Sequence, residues 1–243
     1  MDPSGRWSTR IKGGYSEGFR APTFNDLFFP GFGSLTLQPP MTLKPETSSE
    51  YDGGVEQRLW YERATVEATY FTRRTSDLIT AVCDPVTFLC HAANFGLADV
   101  QGVETALALR PIRELTLRGT YTYLDFNVLT TAGTQGFLNQ RPHNRAAADA
   151  RYVHDGLLRP GDSIDVNAMA TFAGERHDVS GGLDPSYTVV NAAVTYAVPV
   201  QARWISRAAV FTRVGNLFDR NYAEVKHFKA PPVNVIAGGQ LTF

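Results

Sequence analysis

The sequence predicts an all-β protein whose strands form a transmembrane antiparallel β-barrel. Three observations carry this. Polar and apolar residues alternate with period two along most of the 243 residues, and helical periodicity is nearly absent. The alternating runs are about nine to twelve residues long, beyond the usual five or six of soluble sheets and close to the nine to eleven that cross a bilayer obliquely. The linkers between runs are alternately long and short, as in barrels with short turns on one rim and long loops on the other. A soluble sandwich shares the two-faced pattern but has no reason to keep that rhythm over ten strands.

The elements follow in order. Residues 7–16 form the first strand, and a linker of about 30 residues leads to 49–57; a short turn at 58–63 then joins 64–72. After a linker at 80–93 come 100–110 and 115–123, a pair separated by a few residues. In 115–123, Leu115, Leu117, Gly119, Tyr121 and Tyr123 face one side, against Thr116, Arg118, Thr120 and Thr122. A linker at 125–142 precedes 144–152. In 164–172, Ile164, Val166, Ala168, Ala170 and Phe172 oppose Asp165, Asn167 and Thr171. Strands at 187–198 and 205–215 follow, and 232–243 closes the chain with Val233, Val235, Ala237, Gly239, Leu241 and Phe243 on one face. Charges gather on one side: Arg10 and Lys12; Glu50, Asp52 and Glu56; Glu67 and Arg73; Glu104 and Arg118; Arg145, Asp149 and Arg151; Asp165; Arg207 and Arg213. Near strand ends the apolar side carries Trp7, Tyr15, Tyr51, Tyr70, Tyr123, Tyr152, Tyr187, Tyr196 and Phe243. These fit two interfacial girdles, although aromatics favour strands in any setting.

Composition narrows the function classes. Hydrophobic residues make up 43% and charged residues 19%, the latter below the roughly 25% of soluble domains. A net charge of -1 from 23 basic and 24 acidic residues provides no field to attract nucleic acid. The longest uncharged run, 185–202, is broken by prolines and hydroxyls, so no transmembrane helix is encoded. The first residues lack the basic start and apolar stretch of a secretory signal. Cys83 and Cys90 sit among turn formers with no second pair to complete a zinc site, a spacing suited to a local disulfide and an oxidising compartment. The two signals conflict unless the chain is the later part of a longer product.

No catalytic constellation stands out. His91, His143, His154, His177 and His227 lie mostly in loops or turns without metal-ligand spacing, and no cofactor is implied. His177, Asp178 and Asp184 are the one local cluster an enzyme could use. Substrate contacts are expected from long-loop aromatics, which give large contact area at low entropic cost: Phe28, Phe29, Phe32, Phe88, Phe126, Phe137, His227 and Phe228. Arg141, Arg145 and Arg176 are suited to an anionic chelate, although a mixed-sign rim is equally ordinary.

Four stretches resemble the TonB-dependent outer-membrane receptors. They are Gly14-Tyr15-Ser16-Glu17-Gly18-Phe19-Arg20-Ala21-Pro22-Thr23; the return from that loop, with Leu43-Lys44-Pro45-Glu46-Thr47-Ser48-Ser49-Glu50-Tyr51; Asn94-Phe95-Gly96 followed by Val100-Gln101-Gly102-Val103-Glu104; and Gly215-Asn216-Leu217-Phe218-Asp219-Arg220-Asn221-Tyr222 before the terminal strand. The last is the most specific. Independently of the family, Pro22 and Pro45 stop strand pairing at loop edges. Asn216 and Asp219 allow a tight departure from the ladder. These residues read as rim builders rather than substrate contacts.

The resemblance implies about ten C-terminal strands of a 22-stranded plugged barrel, with residues 1–243 as one barrel domain. The plug, the leader and the segment that contacts TonB would then lie outside this chain. It further implies a receptor in the outer membrane of a Gram-negative bacterium, taking up a metal chelate such as a ferric siderophore or cobalamin with TonB-coupled energy. The layout is closest to the cobalamin and siderophore branch. Phe243, closing the last strand, resembles the signal read by the barrel assembly machinery. The other readings left open are a free-standing ten-stranded barrel with a rim enzyme site and a soluble β-rich binding module.

Overall fold

In the computed structural model, residues 7–28, 43–83, 90–94, 96–129, 135–136, 141–178, 182–200, 202 and 204–243 are described. The elements are β1 (Trp7–Arg20), α1 (Phe24–Phe28), β2 (Glu46–Leu59), β3 (Ala64–Ser76), β4 (Ile79–Cys83), β5 (Cys90–Asn94), β6 (Leu97–Leu109), β7 (Leu115–Leu129) and β8 (Gln135–Gly136). The second half has β9 (Asn144–Asp155), β10 (Ser163–Ala173), β11 (Arg176–His177), β12 (Leu183–Asp184), β13 (Tyr187–Pro199), β14 (Arg207–Gly215), β15 (Ala223–Val225), β16 (Phe228–Lys229) and β17 (Asn234–Thr242). The main sheet runs β1-β2-β3-β6-β7-β9-β10-β13-β14-β17, with β8 appended to β7. Each neighbour along this path is antiparallel and next in sequence among the long strands, which is an up-and-down meander.

Register fixes the faces, because residues directly opposite in an antiparallel pair point the same way. Arg10 pairs Glu56 and Glu56 pairs Glu67; two residues on in the same strand, Thr69 pairs Glu104, Glu104 pairs Thr122 and Thr122 pairs Arg145. All fifteen charges that the sequence assigns to one side lie on this charged face. They are neutralised largely within it. Lys12 reaches Glu56 at 3.0 Å and Glu67 at 2.7 Å, Arg73 meets Glu50 at 2.5 Å, and Arg151 meets Asp165 at 2.5 Å.

The other face is apolar and carries large exposed side chains: Ile11 at 82%, Val210 at 62% and Val235 at 64% exposure. In a sheet wanting water these would be buried. Charges appear on this face at one height only. Ten positions separate the short-turn foot of the strand from the first outward charge in β1 (Trp7 to Glu17), β3 (Ala64 to Arg74), β6 (Leu109 to Asp99) and β7 (Leu115 to Asp125). At about 3.4 Å per residue and a tilt near 40°, this is a band about 26 Å tall, the height of a barrel's lipid-facing zone. Above it, Arg74 forks onto Asp99 at 2.7 and 3.1 Å, and Gln101 donates to Asp125 at 3.0 Å.

The strands exceed their expected bounds at the long-loop end. β1 runs on to Arg20 and β7 to Leu129, because above the band charged and apolar residues share the same face, Phe19 with Glu17 and Leu129 with Asp125, and alternation ceases to mark the strand. The long linkers hold three small hairpins, β4–β5, β11–β12 and β15–β16, that the sequence reading treats as loop. One apolar-face assignment is corrected: Tyr187 pairs Ala173 and lies on the charged face. Two glycines on that face accept an aromatic from the neighbouring strand. A Cβ on Gly102 would sit 2.9 Å from Phe71 Cζ, and one on Gly238 would sit 2.6 Å from Phe211 Cζ.

Candidate functional site

At the long-loop end of the charged face, β7, β9, β10 and β13 enclose a concavity of about 550 Å³. Thr120, Thr122, Arg145 and Thr171 form its wall, and Asn191 and Tyr187 continue it on β13. Their odd or even spacing places them on one face. Tyr222 and Glu224, from the segment between β14 and β17, form the roof. The lining combines one guanidinium, one carboxylate, two phenols and several neutral hydrogen-bonding groups.

The roof is clasped to the neighbouring loop. The Tyr187 and Tyr222 rings meet at 4.6 Å, tilted by 32°. Arg176, 4% exposed, lies over Tyr187 at 5.3 Å and donates through Nη2 to the carbonyls of Ala223 and Glu224. Its Nη1 has no hydrogen-bond partner among the described residues. Asp178, 1% exposed, accepts from the Gly182 amide at 2.9 Å and pairs with Lys226, whose ammonium is held above its usual pKa by that carboxylate. The described residues 174–178 and 182–186 are therefore tied to the 216–233 segment over the concavity.

Asn216 anchors the far side. It is 4% exposed, adopts φ +51°, donates from Nδ2 to the carbonyls of Arg220 and Pro231 at 2.9 and 3.2 Å, and accepts the Arg220 amide at 2.7 Å. Asp219 accepts the Val233 amide at 2.9 Å. At the first long loop, Thr23 and Asp26 cap α1 reciprocally: Thr23 N donates to Asp26 at 2.8 Å, and Asp26 N donates to Thr23 Oγ1 at 3.2 Å. The Thr23 amide is the main cause holding the Asp26 carboxyl below its ordinary value.

The expected contact residues are distributed as follows. His227 (φ +70°) and Phe228 (74% exposed) form the tip of the β15–β16 hairpin, in the roofing segment. Phe126 belongs to the charged face of β7 rather than to a loop. Its ring stacks on His143 at 4.5 Å, and His143 Nδ1 lies 2.6 Å from the Leu124 carbonyl oxygen. Phe28 ends α1, and its side chain lies outside the described residues, as do Phe29, Phe32, Phe88 and Phe137. His154 lies in β9 and stacks on Tyr152. In the β4–β5 hairpin Cys83 stands directly opposite Cys90. Phe243 is 84% exposed beyond β17. Of the rim cluster, Asp178 is committed to the clasp, and Asp184 faces Arg176 across β11–β12. Among the described residues no three His, Cys, Asp or Glu side chains come together as a metal site.

Sequence reasoning missed Tyr187, Tyr222 and Glu224 as lining residues. Tyr187 shares the parity of Asn191, which marks the polar face, and that was the available signal.

Residues 2–217 match the family described as TonB dependent receptor-like, beta-barrel. The vitamin B12 transporter BtuB of Vibrio vulnificus is 24% identical over 205 residues, covering 84% of this chain and 29% of that protein. The iron-regulated outer membrane virulence protein of Vibrio cholerae is 27% identical over 244 residues, covering 88% and 34%. Among solved structures, the copper transporter OprC superposes with a TM-score of 0.71 at 15% identity, over 95% of this chain and 36% of that one. The ferripyoverdine receptor of the outer membrane of Pseudomonas aeruginosa gives 0.65 at 15% identity, over 95% and 30%. The chain thus spans about a third of the length of the curated relatives it matches. It belongs to the TonB-dependent receptor-like β-barrel family.

Proposed function

We propose that this chain forms part of the barrel wall of a Gram-negative outer-membrane receptor that admits a metal chelate, a ferric siderophore or cobalamin, from the long-loop side. The carrying observation is the roofed lumenal concavity. Tyr187 and Tyr222 offer flat contact area, Arg145 offers positive charge, and Thr120, Thr122 and Asn191 offer hydrogen bonds to a polar ligand. The relatives named above are transporters and receptors, which supports the reading. Inward movement would draw on TonB through a plug and coupling segment supplied from outside these 243 residues. The apolar band would face outer-membrane lipid, and Phe243 would be read by the barrel assembly machinery.

The test uses a complete receptor carrying this wall. Arg145→Glu and Tyr187→Ala are expected to weaken chelate binding at least tenfold, with Arg141→Glu as the exposed control and heat-modifiable gel mobility as the check on assembly. Wild-type affinity in both assembled variants sinks the assignment. Expressed alone in a receptor-null strain, the chain should not restore uptake.

A further inference from the structure

The concavity under the roof carries two charges of opposite sign and leaves both open. Arg145 and Glu224 are its charged lining residues, and both are exposed. Neither side chain forms an ion pair or a hydrogen bond among the described residues. Elsewhere on the same face Lys12, Arg73 and Arg151 each have a carboxylate within 3.0 Å. Arg145 and Glu224 therefore keep their full hydrogen-bonding capacity for a ligand.

The framework holds them apart. Thr122, Arg145, Ala173 and Tyr187 form one row across β7, β9, β10 and β13. At about 4.8 Å between strands, the Arg145 and Tyr187 backbones lie about 10 Å apart, with the small, buried Ala173 between them. Glu104 follows beyond Thr122 on that row, two strands from Arg145 and without an ion pair to it. Arg176 fixes the other pole: it donates to the Glu224 carbonyl at 3.1 Å and lies 5.3 Å from the Tyr187 ring, which places Glu224 on the Tyr187–Tyr222 side. That guanidinium is spent on the Ala223 and Glu224 carbonyls rather than on the Glu224 carboxylate. One pole is thus a guanidinium beside threonine hydroxyls, a seat for a carboxylate. The other is a carboxylate beside two phenol rings, a seat for an ammonium through charge and cation–π attraction, and Tyr187 already takes one cation on its ring.

We propose that the concavity selects a zwitterionic chelate, one whose periphery carries a free ammonium for Glu224 and a free carboxylate for Arg145, the pair that an amino-acid arm presents. This rests on the receptor reading above and specifies its ligand. A polyanionic chelate would meet Glu224 with like charge. An uncharged one would cover both groups without giving either a partner. Each loses affinity relative to the zwitterion, so the two open charges act as a filter as well as an attraction.

The test uses three ferric hydroxamate probes that share one iron core and differ in a single arm. These are ferric desferrioxamine B with its terminal amine free (ammonium only), succinylated (carboxylate only) or acylated through the γ-carboxyl of glutamate (ammonium and carboxylate). Each is loaded with radioactive iron and bound to the complete receptor carrying this wall, with heat-modifiable mobility as the check on assembly. The glutamyl form should bind about tenfold tighter than either of the others. Glu224→Gln should remove its advantage over the succinyl form, and Arg145→Gln its advantage over the free amine. A succinyl or free-amine probe that matches the glutamyl form on the unsubstituted receptor overturns the proposal. So does equal weakening of all three probes by both substitutions, which would assign Arg145 and Glu224 to the structure of the wall; in either case the receptor reading stands. If no probe is bound, or if Tyr187→Ala leaves all three affinities unchanged, the concavity is not a chelate site and the reading falls with the proposal.

Discussion

Replacing Asn216 separates the two things this residue does. Its side chain makes three hydrogen bonds, at 2.9, 3.2 and 2.7 Å, in a setting 4% exposed. At about 1 kcal/mol each they hold the roofing segment by about 3 kcal/mol. Its backbone sits at φ +51°, which an alanine tolerates at a cost of about 1 kcal/mol and a glycine at almost none. Asn216→Gly should therefore lower the local opening free energy by about 3 kcal/mol and Asn216→Ala by about 4. Native-state hydrogen exchange of the Arg220 and Val233 amides reads this directly, as roughly two decades of lost protection in the first variant and nearly three in the second. Strands β9 and β10 should keep theirs, since the defect is local. Unchanged protection at Arg220 in both variants would falsify the account of the roof, and equal losses in the two would remove the backbone part.

Other expectations follow from single contacts. Gly238→Val puts a side chain where Phe211 lies, 2.6 Å from its Cζ; overpacking of about 1–3 kcal/mol should lower the heat-modification midpoint on gels, and adding Phe211→Ala should recover it. Asp162 accepts Tyr196 Oη and three amides, with Tyr196 the main cause holding its carboxyl below the ordinary 3.8. A depressed carboxyl stabilises fully above that value and loses its effect as pH falls through the lower folded value. Exchange protection of Leu158 should be flat above about pH 4 and collapse in stronger acid, whereas Asp162→Asn should lack the transition. Cys83 and Cys90, opposite in register, should be linked in envelope material, closing a loop worth about 2–3 kcal/mol. Labelling of both thiols without reductant would refute the link.

What the sequence made legible was decided by how many constraints acted on each residue. Within the bilayer zone a strand has one face for lipid and one for the lumen, so parity alone places Lys12, Glu56, Glu67 and Arg145 together. Where that constraint ends, so does the signal. Above Glu17 and Arg74 apolar and charged residues share a face, as Phe19 does with Glu17 and Leu129 with Asp125, and the strands continue unmarked into Arg20 and Leu129. Tyr187 illustrates the remaining ambiguity, because an aromatic near a strand end suits either face, and only its pairing with Ala173 resolves it. The roof was harder still. Tyr222 and Glu224 are positioned by Asn216, Asp178 and Arg176, contacts across up to 48 positions of sequence that no local period encodes.

The same constraint sets where the molecule would sit in a membrane. The band is bounded above by Glu17, Arg74, Asp99 and Asp125, four outward charges at the same height from the strand feet. Arg74 and Asp99 neutralise one another, and Asp125 accepts from Gln101. Below, the boundary is built from exposed Trp60, Leu158 and Trp204 with Arg63, Arg110 and Arg113, which form no ion pair among the described residues. A slab of about 26 Å fits between them, and sliding the sheet upward would drag the short-turn arginines into hydrocarbon while sliding it downward would bury the Arg74–Asp99 pair. Either displacement strands charge in a medium that cannot solvate it. The concavity, whose wall includes Arg145 and Thr122 at the long-loop end of the sheet, would in that placement lie at the long-loop side of the slab.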